Sequence, residues 1–178
     1  MKKLMLSVLG AAALALGGCG TSPSQDPSGA SADFPADVQG PRYELRLKGV
    51  NNPGYTSALM QVRGFSVTTV DGQPLPVRLK SRQAMDLTQA DQAWLVGLFV
   101  LPPGVDRAKV EVVFDDFGGY ESASGAGVID TRVAPLRFEA LADDLAQRGH
   151  AVVQLDLGQS LAGQGEERLL LPSLDVRY

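Results

Sequence analysis

Tyr43-Glu44-Leu45-Arg46-Leu47-Lys48 alternates apolar and charged residues over six positions without a break. Side chains along a β-strand point to opposite faces in turn, so this order gives one face suited to a core and one suited to water. The stretch predicts a half-buried strand, and the chain beyond it repeats the pattern at short intervals. Asn51-Asn52-Pro53-Gly54 is turn chemistry. Residues 58–63 and 65–70 read as one long strand with a bulge or bend at Gly64. Asp71-Gly72 marks a hairpin turn. Residues 75–80 alternate again, with Pro76 at an edge because proline cannot donate to a ladder.

Residues 85–91 read as a short strand followed by a loop. The almost wholly apolar run from Trp94 to Leu101 reads as the central strand. Pro102-Pro103-Gly104 ends it, and residues 108–114 are expected to pair back beside it. Residues 115–127 are polar and glycine-rich and read as a loop. Strand pieces follow at 128–133 and 136–139, broken at Pro135. Leu141 and Leu145 have helical spacing, and Gly149 is placed to cap that helix. A strand at 151–157, a glycine-rich loop at 158–165 and closing strands at 169–171 and 174–178 complete the chain. Eight or nine strands and at most one short helix predict an all-β domain over residues 41–178. The expected form is an antiparallel β-sandwich, with a closed barrel as the alternative. A membrane-spanning barrel does not fit, because the aromatic girdles are missing.

Upstream of this domain the composition changes. Residues 20–40 are rich in Ser, Pro, Asp, Ala and Gly, with Phe34 the only large apolar side chain before Val38. Such a segment cannot bury enough surface to offset chain entropy, and residues 19–40 read as a tether. Before it, Met1-Lys2-Lys3 is a short basic start. Leu4 to Leu16 is apolar apart from Ser7 and Gly10, and Leu16-Gly17-Gly18-Cys19 closes the run. The run is shorter than the ~20 residues of a membrane span and has the shape of a secretory signal. Its end resembles the lipobox of bacterial lipoproteins, in which small residues admit the peptidase and the cysteine thiol takes a diacylglycerol. On that resemblance residues 1–18 are removed and Cys19 is the lipidation site. Two or more acyl chains hold a protein firmly on a bilayer. Gly20, where an Asp would favour inner-membrane retention, points to the outer membrane.

Composition narrows what the remainder can do. The chain carries 16 basic and 20 acidic side chains, a net charge of −4. Loss of Lys2 and Lys3 with the signal makes the mature chain −6, which opposes a nucleic-acid partner. Cys19 is the only cysteine and His150 the only histidine, so disulfides, cysteine nucleophiles and multi-histidine metal sites are excluded. Asp115-Asp116-Phe117-Gly118-Gly119-Tyr120-Glu121, with Asp130 nearby, holds enough oxygens for calcium but lacks the EF-hand spacing. A solvated hairpin loop is the competing reading. Asp143-Asp144 and Asp115-Asp116 are adjacent acids that would diverge rather than face each other across a glycosidic bond. Ser122-Ala123-Ser124-Gly125 lacks the Gly-x-Ser-x-Gly elbow, and His150 reads as a rim residue. Trp94 reads as core. Tyr43, Tyr55, Tyr120 and Tyr178 are scattered, with Tyr55 and Tyr120 in loops where an exposed pair could stack on a sugar.

Leu101-Pro102-Pro103-Gly104 followed by Lys109-Val110-Glu111-Val112 resembles a step in an uncharacterised family of bacterial lipoproteins, domain of unknown function 4382. Val152-Val153-Gln154-Leu155-Asp156-Leu157 with Ser160-Leu161 resembles that family's late strand, and the placement of residues 43–70 is similar. The Asp-Ala-Pro usual after its first strand is replaced here by Gly49-Val50-Asn51-Asn52-Pro53, and no functional residue is carried over. The resemblance, over residues 41–178, implies a lipid-anchored sandwich of prealbumin, immunoglobulin or carbohydrate-binding style with no established activity.

Taken together, these observations lead us to expect a non-enzymatic lipoprotein of the cell envelope. Its sandwich would be a binding or structural module without cofactor or metal. Its partners would be the membrane, through lipid on Cys19, and an envelope protein or polysaccharide. The rival readings are a small carboxylate-dependent envelope hydrolase and a calcium-stabilised carbohydrate-binding module. A sugar module would expose aromatics on one concave face, whereas a protein-binding module would offer a free strand edge or an apolar patch.

Overall fold

The computed structural model describes residues 34, 35 and 37–178. Fourteen strands and two short helices are found among them, so the domain is all-β. They are β1 (Arg42–Val50), β2 (Tyr55–Met60), β3 (Val62–Thr69), β4 (Val77–Leu79), β5 (Met85–Asp86), β6 (Trp94–Val100) and β7 (Arg107–Phe114). After them come β8 (Phe117–Ser122), β9 (Gly125–Asp130), β10 (Leu136–Leu141), α1 (Ala142–Arg148), β11 (His150–Asp156), α2 (Leu157–Ser160), β12 (Leu161–Ala162), β13 (Glu167–Leu170) and β14 (Leu174–Arg177).

The alternating stretch forms β1, with Tyr43, Leu45 and Leu47 buried. Full burial of one such aliphatic side chain is worth about 1.5–3 kcal/mol, while Glu44, Arg46 and Lys48 stay at the surface of the same strand. β1 is the middle of a five-stranded sheet in the order β14-β11-β1-β6-β4. It lies antiparallel to β6 and parallel to β11, with Leu45 opposite Ala151 and Leu47 opposite Val153. The expected sandwich is found with mostly antiparallel pairs; β1 with β11, and β13 with β9, are the parallel exceptions. Parallel neighbours need a long crossover, and β1 and β11 are separated by most of the domain.

The other two sheets meet at a corner. β10-β7-β3 form the three-stranded one, and β9-β8-β2 lie within the six-stranded one, ordered β12-β13-β9-β8-β2-β5. Each strand of the first is joined along the chain to one of the second. Backbone bonds carry the ladder round the corner, Asp115 N to Gln61 O (2.9 Å) and Thr131 N to Asp116 O (3.1 Å). The long strand expected over 58–70 is thus divided at Gln61. Gly64 lies at a register slip, as the sequence suggests.

Two further expectations are corrected. β6 is not central, and β7 does not pair with it but with β3 and β10 in the other layer. The turn at Pro102-Pro103-Gly104, closed by Val105 N to Pro102 O (3.2 Å) with Gly104 at φ +87°, carries the chain across the core instead of back. Residues 115–127 are not a loop but most of the β8–β9 hairpin, in which Ser122 pairs with Gly125. Its glycines mark close approach of backbones: a Cβ on Gly127 would lie 2.0 Å from Glu166 O, and one on Gly118 would lie 2.5 Å from Leu59 O.

At the N-terminal end, Phe34 is buried, with the Arg42 guanidinium 5.7 Å from its ring, although the sequence places it in the tether. β4 is an edge strand, in agreement with Pro76, whose carbonyl accepts from Val100 N. The layers meet on that side through the Asp71-Gly72 hairpin, where Leu75 N donates to Val67 O (2.8 Å). On the other side the Tyr178 hydroxyl, just past β14, accepts from Leu141 N (3.3 Å) and donates to Glu139 O (3.4 Å) on β10. α1 ends at Gly149 (φ 76°), whose N–H donates to Leu145 O. The loop expected at 158–165 contains a second helix, the single turn α2. It is capped by Asp156, whose carboxylate accepts from Gln159 N (2.9 Å).

Candidate functional site

Asp115, Asp116 and Asp130, three of the carboxylates that suggested chemistry, lie at the corner between the two sheets. Arg63 forms an ion pair with Asp116 and reaches Asp115 at 3.6 Å. The Thr131 hydroxyl donates to the Asp115 carbonyl. Asp130 is buried on its rung because Arg132 folds over it: Nε donates at 3.0 Å, Nη2 at 2.6 Å, and the Arg132 backbone N–H at 3.0 Å. The Arg132 guanidinium, through its hydrogen bonds first, holds the Asp130 carboxyl down at about 2, well below the ordinary 3.8. Three of the acids expected to converge on a cation, Asp115, Asp116 and Asp130, are therefore paired with arginines. Among the described residues no three His, Cys, Asp or Glu groups cluster as metal ligands.

The other candidates do not assemble into a site. Asp143 and Asp144 sit in the first turn of α1, where acids suit the helix dipole. The Ser122 hydroxyl meets that of Ser124 (2.9 Å) and donates to Gly125 O within the hairpin turn. His150 lies across the β1–β11 ladder from Glu44. Trp94 packs against the core and donates through Nε1 to Asp86 O (3.2 Å). Tyr55 and Tyr120 do meet, edge to face at 5.5 Å, but both are strand residues. Tyr120 is buried, with the Arg168 guanidinium 4.9 Å from its ring. Tyr43 stacks on Phe99 inside the core. Cys19 lies outside the described residues.

Asp86 was not singled out in the sequence. Burial pushes its carboxyl up, but hydrogen bonds from Ala58 N, the Thr88 hydroxyl and Thr88 N outweigh this and hold it below 3.8. Asp156 is likewise held low, first by the Asn51 side-chain amide (2.7 Å) and then by Gln159 N. Both carboxylates fasten backbone and are not presented to a ligand.

What the fold does present is a face. Register places Leu59, Gly119 and Val128 on one rung of the six-stranded sheet, and Phe117, Asp130 and Leu169 on the next. Leu59 is 44% exposed, Phe117 54%, Val128 45% and Leu169 38%. These are the outward positions of their strands, the equivalents of Glu44, Arg46 and Lys48 on β1. Gly119 leaves a notch between Leu59 and Val128, with no atom closer than 3.9 Å to where a Cβ would stand. The Arg132 guanidinium lies over the Phe117 ring at 4.7 Å. Periodicity alone could have found this face once residues 117–130 are read as a hairpin, because the apolar residues then fall on both sides of the strands.

A second concavity, of about 420 Å³, lies across β3, β7 and β10. It is lined by Ser66, Thr68, Lys109, Glu111, Arg137 and Glu139, and Phe138 is the only aromatic in its wall. Arg137 and Glu111 are paired across it at 2.7 Å. It lacks the aromatic platform expected of a sugar module.

By fold and face, the class of protein is an all-β sandwich with an apolar sheet face exposed among the described residues. Comparison of the chain with protein-family models, with curated proteins and with solved structures finds no match.

Proposed function

We propose that the chain is a lipid-anchored lipoprotein of the cell envelope, held in the outer membrane through Cys19. Its sandwich is a non-enzymatic module that binds protein rather than sugar. The observation that carries the binding half is the apolar rung pair Leu59, Val128, Phe117 and Leu169, exposed together on one sheet face among the described residues. Contiguous exposed apolar surface of this kind marks interaction sites, and the aromatic platform a sugar would need is not built on the concave face. The anchoring half is supported by Leu16-Gly17-Gly18-Cys19 behind an apolar run and a basic start. The chain's single histidine and single cysteine support a role without catalysis.

The test of the anchor is the mass of the N-terminal peptide from envelope-purified protein. It should begin at Cys19 and carry acyl chains, and Cys19→Ala should leave the signal uncleaved. An unmodified Cys19 in mature protein would defeat the anchoring half. Binding is tested separately by capture from solubilised envelope with wild type and with Leu59→Asp. If the two recover the same proteins, the face is not the binding site.

A further inference from the structure

We infer that the edge of β10 pairs with β10 of a second copy of this chain, antiparallel about a two-fold axis through Phe138, with Tyr178 as the gate. This goes beyond the binding reading above and uses neither lipid on Cys19 nor the apolar flank. β10 ends the order β10-β7-β3, so one side of it meets no strand among the described residues. Backbone groups of successive strand residues turn to opposite sides. Ala142 N donates to Asp106 O, beside β7, whereas Leu141 N and Glu139 O face away and meet the Tyr178 hydroxyl. Arg137, Glu139 and Leu141 therefore turn their backbone groups outward, and Leu136, Phe138 and Ala140 turn theirs to β7. An outward row of this kind is a template for another strand. The other edges are blunted. β14, β4, β12 and β5 are 4, 3, 2 and 2 residues long, and β3 is covered at one end by the Asp71-Gly72 hairpin through Leu75 N to Val67 O. β10 runs for 6 residues.

The side chains say which strand fits. Leu136-Arg137-Phe138-Glu139-Ala140 is complementary to its own reverse, which is what an isologous contact requires. A two-fold through Phe138 sets Arg137 opposite the partner's Glu139, Leu136 opposite the partner's Ala140, and the two Phe138 rings opposite each other. Backbone parity agrees, since Arg137 and Glu139 both turn their groups outward and so form a hydrogen-bonded rung. The axis stands normal to the sheet, which keeps Arg137 and Glu139 on the outer face, where both are exposed and opposite charges at facing positions attract. Phe138, half-buried against the core, falls in a non-hydrogen-bonded rung, where side chains come closest. Moving the axis by one residue sets Arg137 against Arg137 or Glu139 against Glu139, so only one register satisfies the charges. The chain is acidic as a whole, but Arg107, Lys109 and Arg137 face only Glu111 and Glu139 on this stretch of β7 and β10.

Tyr178 stands in the way. Its hydroxyl accepts from Leu141 N at 3.3 Å and donates to Glu139 O at 3.4 Å, on the side where the added strand runs. A strand paired over Glu139 and Leu141 displaces it, so Tyr178 holds the edge back in the isolated chain.

The experiment is sedimentation equilibrium on the mature chain with Cys19→Ser, from micromolar to millimolar protein, with the melting temperature of each variant taken at the dilute end. Tyr178→Ala should lower the dimer Kd about tenfold, and Tyr178→Phe, which keeps the ring and loses both bonds, should lower it by less. In the Tyr178→Ala background Arg137→Glu and Glu139→Arg should each weaken the dimer about tenfold. The two together should restore it, because the facing charges are again opposite. Within one chain Arg137 meets Glu111 at 2.7 Å and Arg107 meets Glu139 at 3.9 Å. The double change does not restore those pairs, so recovery of the dimer does not come from the stability of the monomer. If Tyr178→Ala does not fold, the same series is run on Tyr178→Phe. A gate variant that stays monomeric at millimolar concentration overturns the proposal. So does a dimer that the single changes leave intact, or one that the double change fails to restore.

Discussion

The packing of the two layers makes opposite predictions for one substitution at two glycines. A Cβ on Gly97 of β6 would stand 2.4 Å from Cε1 of Phe65 on β3 and 2.5 Å from the carbonyl oxygen of Arg78 on β4. Ordinary carbon contacts are ~3.5–4.0 Å, so ring and carbonyl must each retreat by about 1 Å. The ring has some freedom, but Arg78 is held in register opposite Leu98 in the β4–β6 ladder. Overpacking of this kind costs about 1–3 kcal/mol, and immovable backbone on one side argues for the upper end. Against it stands a gain of about 0.5–1 kcal/mol from replacing glycine within a strand. Gly97→Ala should therefore lose roughly 2 kcal/mol net, or about 4–8 °C in Tm for a domain of this size. At Gly119 nothing lies within 3.9 Å of the new methyl group, so Gly119→Ala keeps the gain and should be slightly more stable than wild type. Urea unfolding followed by fluorescence of Trp94, the only tryptophan, measures both. Phe65→Leu in the Gly97→Ala background should recover part of the loss by vacating the ring position. If Gly97→Ala and Gly119→Ala unfold at the same urea concentration, the close approach of the layers at Gly97 is wrong.

Four other outcomes are expected. The Asp130 carboxyl is depressed in the folded state, so its contribution is fully present above its unfolded value near 3.8 and is lost as pH falls toward about 2; Asp130→Asn should flatten its share of the urea-midpoint slope in that window, leaving the shares of Asp86 and Asp156, which are shifted the same way. Asp86→Ala removes the side-chain acceptor of Ala58 N and Thr88 N and should cost about 1–3 kcal/mol, whereas Asp86→Asn, which keeps one carbonyl oxygen, should cost less in the same assay. Tyr178→Phe removes both bonds to the β10 edge, so amide exchange at Leu141 should accelerate while β1 amides stay protected. Val128→Thr on the open face should change stability by no more than about 0.5 kcal/mol, whereas Leu45→Thr at the fully buried centre of β1 should cost several times that in a thermal melt.

The fold was legible wherever one face of a strand is wet. β1 announces itself because Tyr43, Leu45 and Leu47 go inward while Glu44, Arg46 and Lys48 go out. The Asp71-Gly72 turn, the edge position of Pro76, the slip at Gly64 and the Gly149 cap were readable for similar local reasons. Partner choice was not. Nothing in Trp94–Val100 or Arg107–Phe114 says that a Pro-Pro-Gly turn sends the second strand into the opposite layer, and nothing local says that β11 will lie parallel to β1. The β8–β9 hairpin was hidden by its glycines, which mimic loop composition although Gly118 and Gly127 are needed for backbone contact. With the hairpin hidden, the acids at 115, 116 and 130 looked like free ligands, because their partners Arg63 and Arg132 act through the corner between the sheets.

The outer face of the six-stranded sheet is apolar where a wet strand would be polar. A strand whose outer face meets only water has no use for apolar residues there, and β1 follows this rule with two basic groups and one acid. β2, β8, β9 and β13 break it at Leu59, Phe117, Val128 and Leu169 while still sending Met60, Tyr120, Ile129 and Leu170 into the core. Core formation accounts for the inward set alone. The Arg132–Asp130 pair sharpens the point, since the carboxylate beneath the guanidinium contributes no free anion to the middle of the face, and the cation stays in contact with the Phe117 ring. The flank is apolar, notched at Gly119 and centred on a tethered arginine, as the protein-binding role we propose would require. The bend at Gln61 and Asp115-Asp116 is what places that flank beyond the corner, away from the end of the domain where the chain begins.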